Sequence, residues 1–362
     1  MSDIEHMRHA LMLGRRGMGR TGRNPSVGCV IVADGVVVGR GRTQDGGRPH
    51  AEAVALREAG ALARGATAYV TLEPCATVTD TPACAQSLID AGVKRVVAAM
   101  QDPDARTAGN GFAKMRAAGI EVVTGVLEAE ARETHAGFVL RLTENRPFVT
   151  LKIAQSLDGR TASASGDSKW ITSGRAREFG HLLRARNDAI LAGVETALAD
   201  DPELTCRLPG MEKCSPLRVV LDTRLRTRPG SKLVATAKTQ PTVVFTAADK
   251  GGDSLMSSGV EIVRVARDAG GRPDVGAVLG ELAKRGVSRL LVEGGATVHA
   301  SFLDRGFADA LEVFTAPITL GSSGHSAIDA LAALTIGEAP KFTRTLLREF
   351  GPDVLESYRR RA

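Results

Sequence analysis

The segment RPHAEAVAL (48–56) places a proline, an imidazole and a carboxylate where a helical pattern begins, and TLEPCATVTDTPACAQ (71–86) places one thiol where a strand ends and another where the next helix starts. No other feature constrains the fold as much. His50, Cys75 and Cys84 form the ligand set of a catalytic zinc site, two thiolates and one imidazole with the fourth position kept for water. To share one ion, these three separated joints must converge. Glu52 stands two positions beyond His50, and residues two apart on a helix point to nearly opposite sides. Both face one centre only if His50 lies at the very start of the helix, where Pro49 also puts it. Glu52 is then the acid/base beside the metal rather than a ligand. A helix start also favours ionised sulfur.

The chain has 362 residues, which suits two domains better than one core. Over 1–145, strand-like and helix-like segments alternate. MSDIEHMRHALMLG begins with a Ser2/Glu5 capping box, and Ile4, Met7 and Leu11 share a helical face. VGCVIVADGVVVGRG is two strands around an Asp34-Gly35 hairpin turn. A helix follows at 51–63, then the strand ATAYVTL, a helix near Pro82, the strand VKRVVAAM, a helix over 109–118, the strand IEVVTG and a helix over 127–142. This order predicts a five-stranded sheet with helices on both faces. The polar, proline-containing TENRPF marks the boundary, and 146–362 form a second α/β domain. Its strands are FVTLKIA, DAILAG, LRVVLD, PTVVFT, EIVRV, SRLLVE and ALEVFTA, with helices near 173–186, 273–285 and 296–305.

A hydride donor would need a nucleotide site. GMGRTG (17–22) fits G-x-G-x-x-G, but it follows a helix and precedes a strand, the reverse of what the fingerprint needs. SRLLVEGGATVHASFL (288–303) is the better candidate, because a strand ends in Glu293-Gly294-Gly295 and a helix begins there. The net charge of +6 is dispersed and fits anionic small molecules as well as nucleic acid, while 4% aromatics argue against a base-stacking platform. No apolar run approaches the ~18 residues of a spanning helix, and the N-terminus does not read as a signal peptide. With an odd, scattered set of five cysteines, this points to the cytoplasm. Cys29 reads as buried in a strand; Cys206 and Cys214 lie in a loop region. His6, His9, His135, His181, His299 and His325 lack partners at ligand spacing and read as surface or satisfied positions.

His-x-Glu opening a helix, followed by Pro-Cys and a later Cys, is the pattern of zinc nucleobase deaminases, here with eight residues between the cysteines instead of two. NPSVGCVIV (24–32), HAEAVAL (50–56), TLEPC, TPAC and QDPDA (101–105) resemble the deaminase half of the bifunctional riboflavin-biosynthesis deaminase–reductase family. LKIAQSLDGRTASASGDSKWIT (151–172), LRARNDAILAGVETALADDPELTCR (183–207) and VEGG resemble its reductase half. The resemblance implies a three-layer cytidine-deaminase-like α/β/α sandwich followed by a dihydrofolate-reductase-like α/β domain. It further implies zinc and NADPH as cofactors, phosphorylated aminopyrimidines as substrates, a homo-oligomer, and neither nucleic acid nor membrane as partner.

Residue by residue, the resemblance assigns the pyrimidine to Asn24 and Asp102. It assigns the ribosyl phosphate to Lys152, Ser168, Thr172, Arg184, Leu204 and Arg207. Gly193, Thr196, Glu293, Gly294 and Gly295 would line the cofactor, with Trp170 either beside it or in the core. Asp200 would sit where cofactor and reacting sugar carbon meet, and would organise proton transfer with Lys152. Arg224 after LRVVLD would meet a 2′-phosphate, which favours NADPH. One departure is ATVTD (76–80), with Asp80, where the family usually carries a His-rich, Gly-Arg segment. It leaves the zinc residues intact and changes how the phosphate end is gripped. Two other readings compete: a tRNA adenosine deaminase with an RNA-gripping second domain, and a non-catalytic, zinc-stabilised binding protein.

Overall fold

The computed structural model describes residues 2–77, 82–105 and 107–361. The chain divides into two compact units, Met1–Arg146 and Pro147–Ala362. Among the described residues, no helix is long and apolar enough to cross a membrane.

The first unit runs α1 (Asp3–Arg15), β1 (Gly28–Ala33), β2 (Val36–Arg42), α2 (Ala51–Ala59), β3 (Thr67–Val70), α3 (Cys84–Asp90), β4 (Arg95–Ala98), α4 (Asn110–Ala117), β5 (Glu121–Thr124) and α5 (Glu128–Thr143). The sheet order is β2-β1-β3-β4-β5, antiparallel across β2, β1 and β3 and parallel from β3 to β5. Asp34 and Gly35 turn the hairpin with φ of 49° and 78°, the positive values that a two-residue turn of this kind requires. The Ser2/Glu5 capping box forms as expected. Ile4 departs from expectation: it is 49% exposed, and the buried face of α1 runs instead through Met7, Ala10, Leu11 and Gly14. The helix expected over 51–63 stops at Ala59, because Gly60 adopts φ 53° and the chain continues as a short 3-10 turn.

The seat of α2 is written in small residues. Gly39 and Gly41 recur at the strand period on one face of β2, opposite the alanines of AEAVALREA. A Cβ at Gly39 would lie 2.2 Å from the Ala55 carbonyl, and one at Gly41 2.1 Å from the Ala51 carbonyl. The helix backbone therefore rests directly on the sheet, which fixes where its N-terminal residues, including Glu52, are presented.

The second unit runs β6 (Phe148–Ser156), β7 (Arg160–Ala162), α6 (Gly174–Ala185), β8 (Ala189–Gly193), α7 (Val194–Asp200), β9 (Leu217–Leu221), α8 (Lys232–Ala235), β10 (Thr242–Thr246), α9 (Asp253–Ser257), β11 (Glu261–Arg264), α10 (Val275–Lys284), β12 (Arg289–Val292), α11 (Ala296–Asp304), β13 (Ala310–Ala316), β14 (His325–Ser326), β15 (Phe342–Phe350) and β16 (Asp353–Arg360). Its main sheet has the order β11-β10-β9-β8-β12-β6-β13-β16-β15. The strands from β11 to β13 are parallel, and the central ones, β8, β9, β10 and β12, are buried on both faces, which is why they read as unbroken apolar runs. Ile190, Val220, Val244 and Leu291 pack against α6 to α9, while Leu191, Val219, Val243 and Leu290 pack against α10 and α11. From the adjacent strands β8 and β12 the chain proceeds in opposite directions along the sheet. That is a switch point, and it opens a crevice at their carboxyl ends.

The hairpin β15–β16 has no counterpart in the elements expected from sequence. β15 is an edge strand whose interior residues are nearly all exposed, so its sequence carries no alternation to read. Replacing Gly41 by valine is expected to destabilise the first unit by about 1–3 kcal/mol, because the helix above cannot recede without losing its packing. An unchanged thermal midpoint for that unit would show that α2 does not depend on this contact.

Candidate active sites

In the first unit three joints converge. His50 is the N-cap of α2. Cys75 follows the exit of β3, and Cys84 opens α3. The ligand atoms of His50, Cys75 and Cys84 all lie within 4.8 Å of one another. His50 Nδ1 is 3.3 Å from Cys84 Sγ and 3.8 Å from Cys75 Sγ, and the Cys84 backbone N–H donates to Cys75 Sγ at 3.4 Å. No disulfide joins them. The imidazole thus presents Nδ1 to both sulfurs.

The charges of these groups interlock. The Cys84 hydrogen bond, against burial and with help from His50, draws the Cys75 thiol down to about 4. The same bond from the other side, together with burial, pushes the Cys84 thiol far up. Glu52 is 3% exposed, and burial followed by the Cys75 charge raises its carboxyl to about 7. Two sulfurs and one ring nitrogen are the donor set that a divalent zinc ion takes in a site with an open position, and the buried carboxylate stands beside it. A cation there would allow both thiols to ionise.

Asp102 stands near this centre, within reach of the Cys75 charge. The Asn24 amide donates to the Gly47 carbonyl at 3.0 Å, which ties it to the loop leading into His50. Asp102 is 8% exposed; burial raises its carboxyl to about 6, although it accepts the Asp104 N–H, and the Cys75 charge adds to the rise. Val78, Thr79 and Asp80 of the divergent ATVTD segment lie outside the described residues.

In the second unit the crevice between β8 and β12 holds the cofactor candidates. Gly193 caps α7 and Gly295 caps α11. A Cβ on Gly294 would lie 2.8 Å from the Val298 side chain, and one on Gly295 would lie 3.5 Å from Thr196 Oγ1. The two helix starts therefore meet over bare backbone. Beside them, past Glu195, opens a cavity of about 730 Å³ at the ends of β9 and β10, walled by Arg224, Arg226, Arg267 and Arg272. Arg226 pairs with Glu195, and Arg267 is held by the Ala247 carbonyl and Asp249. Among the described residues, Arg224 and Arg272 make no side-chain hydrogen bond or ion pair.

The phosphate candidates do not form one cluster of free cations. Arg184 grips Glu293 with two bonds of 2.8 and 2.9 Å and donates to the Thr205 carbonyl at 3.0 Å. Burial would raise Glu293; the Arg184 charge and hydrogen bonds, with the Lys152 charge, outweigh it and hold the carboxyl at about 2. Lys152 is pushed down by burial, against the pull of Glu293, and its Nζ lies 5.7 Å from the Phe314 ring centre. Arg207 is exposed and paired with Glu203 at 3.2 Å. Leu204 is buried in the core, so only its backbone can face a ligand. Thr172 is nearly buried and its carbonyl accepts from Arg177; Ser168 is half-buried.

The remaining candidates differ in exposure and partners. Trp170 is 68% exposed under the Arg177 guanidinium, which ends the core-filling reading. Asp200 is the exposed last residue of α7, and the charged neighbours of Lys152 are Glu293 and Arg184. His299 is buried, with Nδ1 on the Ala327 carbonyl but Nε2 without a partner among the described residues; the buried His6 Nδ1 likewise has none. Cys29 is buried as expected.

A His-Cys-Cys centre with a buried glutamate, joined in one chain to a switch-point sheet carrying a cation-lined cavity, defines a bifunctional zinc deaminase and nucleotide-dependent reductase. Residues 1–100 match the cytidine and deoxycytidylate deaminase zinc-binding region, and residues 147–355 match the RibD C-terminal domain. Riboflavin biosynthesis protein RibD of Escherichia coli K12 is 40% identical over 365 residues, covering 98% of each chain. That of Bacillus amyloliquefaciens is 42% identical over 353 residues, covering 96% of this chain and 94% of its own. The structure of Acinetobacter baumannii RibD superposes with a TM-score of 0.90 at 36% identity, covering 99% of both chains. The Thermotoga maritima diaminohydroxyphosphoribosylaminopyrimidine deaminase/5-amino-6-(5-phosphoribosylamino)uracil reductase does so with a TM-score of 0.87 at 34% identity, covering 99% of this chain and 98% of its own.

The chain belongs to the RibD family, the two-domain deaminase–reductases of riboflavin biosynthesis. Its first unit is a cytidine-deaminase-like zinc domain, and its second a dihydrofolate-reductase-like domain that uses NADPH.

The Arg184–Glu293 pair yields a stability test. Arg184→Met leaves a buried, uncompensated carboxylate and should destabilise the second unit by about 3–5 kcal/mol at neutral pH. Glu293 has a folded value near 2 against an ordinary 4.5, so the pair's contribution is complete above about pH 4.5 and is lost as pH falls toward 2. The difference in unfolding free energy between wild type and variant should be widest at pH 7 and shrink below 4.5. A difference constant from pH 7 to 3 would exclude the pairing.

Proposed function

We propose that the first unit hydrolytically removes an exocyclic amine from a phosphoribosylated diaminopyrimidine, and that the second reduces the ribosyl group of the product to a ribityl phosphate. The observation that carries this reading is the convergence of His50, Cys75 and Cys84 beside a buried Glu52. Those three side chains would hold the zinc ion, which when bound supplies Lewis acidity and lowers the pKa of a water. Glu52, raised toward neutrality by its burial, is matched to taking a proton at pH 7 and returning it. It would pass one proton of the attacking water to the ring nitrogen and the second to the departing amine, which leaves as ammonia. Asn24 and Asp102 would hold the pyrimidine edge, Asp102 donating a hydrogen bond when protonated.

In the second unit NADPH, when bound, would supply the hydride. Its pyrophosphate would lie over Gly294 and Gly295 at the start of α11, where bare backbone and the helix dipole favour an anion. Gly193 and Thr196 would line the adjoining wall, and Trp170 the outer rim. The 2′-phosphate would enter the arginine cavity, met by Arg224 and Arg272. Lys152, next to the Arg184–Glu293 pair, would face the ribosyl group as it opens. Ser168, Thr172, Arg207 and the Leu204 backbone would hold its phosphate, and Asp200 would approach from the solvent side. The match of residues 147–355 to a reductase domain weighs against an RNA-gripping role for this unit. We further read the protein as a cytoplasmic homo-oligomer, for which the open β15 edge with exposed Leu346 and Leu347 offers a surface; sedimentation of the purified chain tests it.

Glu52→Gln should keep one zinc per chain and leave NADPH oxidation intact, while ammonia release falls by about 10²–10⁴-fold. Ammonia release at the wild-type rate would remove Glu52 from the chemistry. Arg224→Ala should raise the KM for NADPH by about 10- to 100-fold, the loss of one charge-assisted bond, with little change for NADH. Equal effects on the two nucleotides would place the 2′-phosphate elsewhere.

A further inference from the structure

Four backbone N–H groups converge on one buried carboxylate that neither unit's chemistry has yet used. Glu73 leaves β3 two residues before Cys75 and is 3% exposed. Its Oε2 accepts the N–H of Asp102 at 3.3 Å and of Gly109 at 2.9 Å. Its Oε1 accepts the N–H of Gly111 at 3.0 Å and of Phe112 at 3.2 Å. Gly109 caps α4, and Gly111 and Phe112 lie in its first turn, where N–H groups have no partner within the helix. The positive end of that helix favours a carboxylate. The backbone N–H of Glu73 in turn donates to the Met100 carbonyl at 3.0 Å.

One side chain therefore bridges the strand end that delivers Cys75, the loop that carries Asp102, and the start of α4. Gly111 makes the approach possible, since a Cβ there would lie 2.0 Å from the Pro74 carbonyl. The arrangement has a chemical requirement. A carboxylate is an acceptor at both oxygens, whereas an amide of the same size offers one oxygen and turns an NH2 toward the other pair of donors.

We propose that Glu73 is a positioning residue for deamination, setting Asp102 at a fixed place relative to the Cys75 side of the metal centre. The proposal rests on the reading of Asp102 as a pyrimidine ligand. Among the described residues the Glu73 side chain bonds only to backbone N–H groups, so its influence on substrate passes through Asp102 and the start of α4.

The test is steady-state deamination by the full-length chain, with zinc content and NADPH-dependent reduction of the deaminated substrate measured on the same samples. Glu73→Gln should retain one zinc per chain and wild-type reduction. Its KM for the aminopyrimidine should rise at least tenfold while kcat changes less than threefold. Unchanged KM with zinc retained overturns the proposal, as does a fall in kcat at constant KM. If Glu73→Gln loses zinc, Glu73→Asp takes its place, since it keeps the charge but cannot span both pairs of donors. A tenfold rise in its KM with zinc retained supports the proposal, and an unchanged KM overturns it. Zinc loss in both variants would restrict Glu73 to the fold of the metal loop and overturn the proposal. Asp102→Asn separates the underlying reading: an unchanged KM there removes Asp102 as a ligand. A raised KM there beside an unchanged KM in Glu73→Gln removes the positioning role alone.

Discussion

The first unit depends on burying a carboxylate, an imidazole and two thiols within one small volume. Proteins leave such groups charged in their interior only when a counter-charge is present. Here the protein matrix supplies little. Without a cation, the Cys75–Cys84 bond splits the thiols into one low and one very high proton affinity, and the Cys75 charge adds to burial in driving Glu52 up to about 7. A divalent ion resolves the conflict by taking both sulfurs as thiolates. Metal affinity and the local fold are therefore one free energy rather than two, and the glycine seat beneath α2 matters because it holds two members of the set.

The second unit settles its interior charges differently. Arg184, Glu293 and Lys152 compensate one another, so the carboxylate stays ionised even though burial opposes it. The pairing consumes the cation that the family resemblance would leave free for phosphate. Arg184 retains at most two of its five N–H donors for a ligand, after one each to the two Glu293 oxygens and one to Thr205. Through the Thr205 carbonyl it anchors the 203–207 loop.

The metal centre was legible because its geometry is encoded locally. Pro49 starts the helix that His50 caps, and Pro74 and Pro82 bracket the two sulfurs, so residue type and punctuation together imply the convergence. The strands of both sheets were legible for a similar reason, being apolar runs bounded by turns. Glu73 was not. It sits inside TLEPC, where nothing separates a carboxylate that binds substrate from one that binds four N–H groups some thirty to forty positions away. Trp170 was equally opaque, since an aromatic side chain reads as core until its neighbours are known. The β15–β16 hairpin escaped because an exposed edge strand needs no apolar face.

The two halves nonetheless share one device. In each, the groups assigned to chemistry stand where a strand has just ended or a helix is about to begin: His50 before α2, Cys84 at α3, Gly193 before α7, Gly295 before α11. Such joints expose unpaired N–H groups and a positive dipole, and they belong to elements whose bodies are locked in the core. An anion at any of these joints would meet the same field. Glu73 is the case in which the protein turns that field inward, using the start of α4 to bind its own carboxylate instead of a ligand. The first unit thereby ties Asp102 to the start of α4 through a carboxylate that backbone N–H groups hold, with no second ion needed.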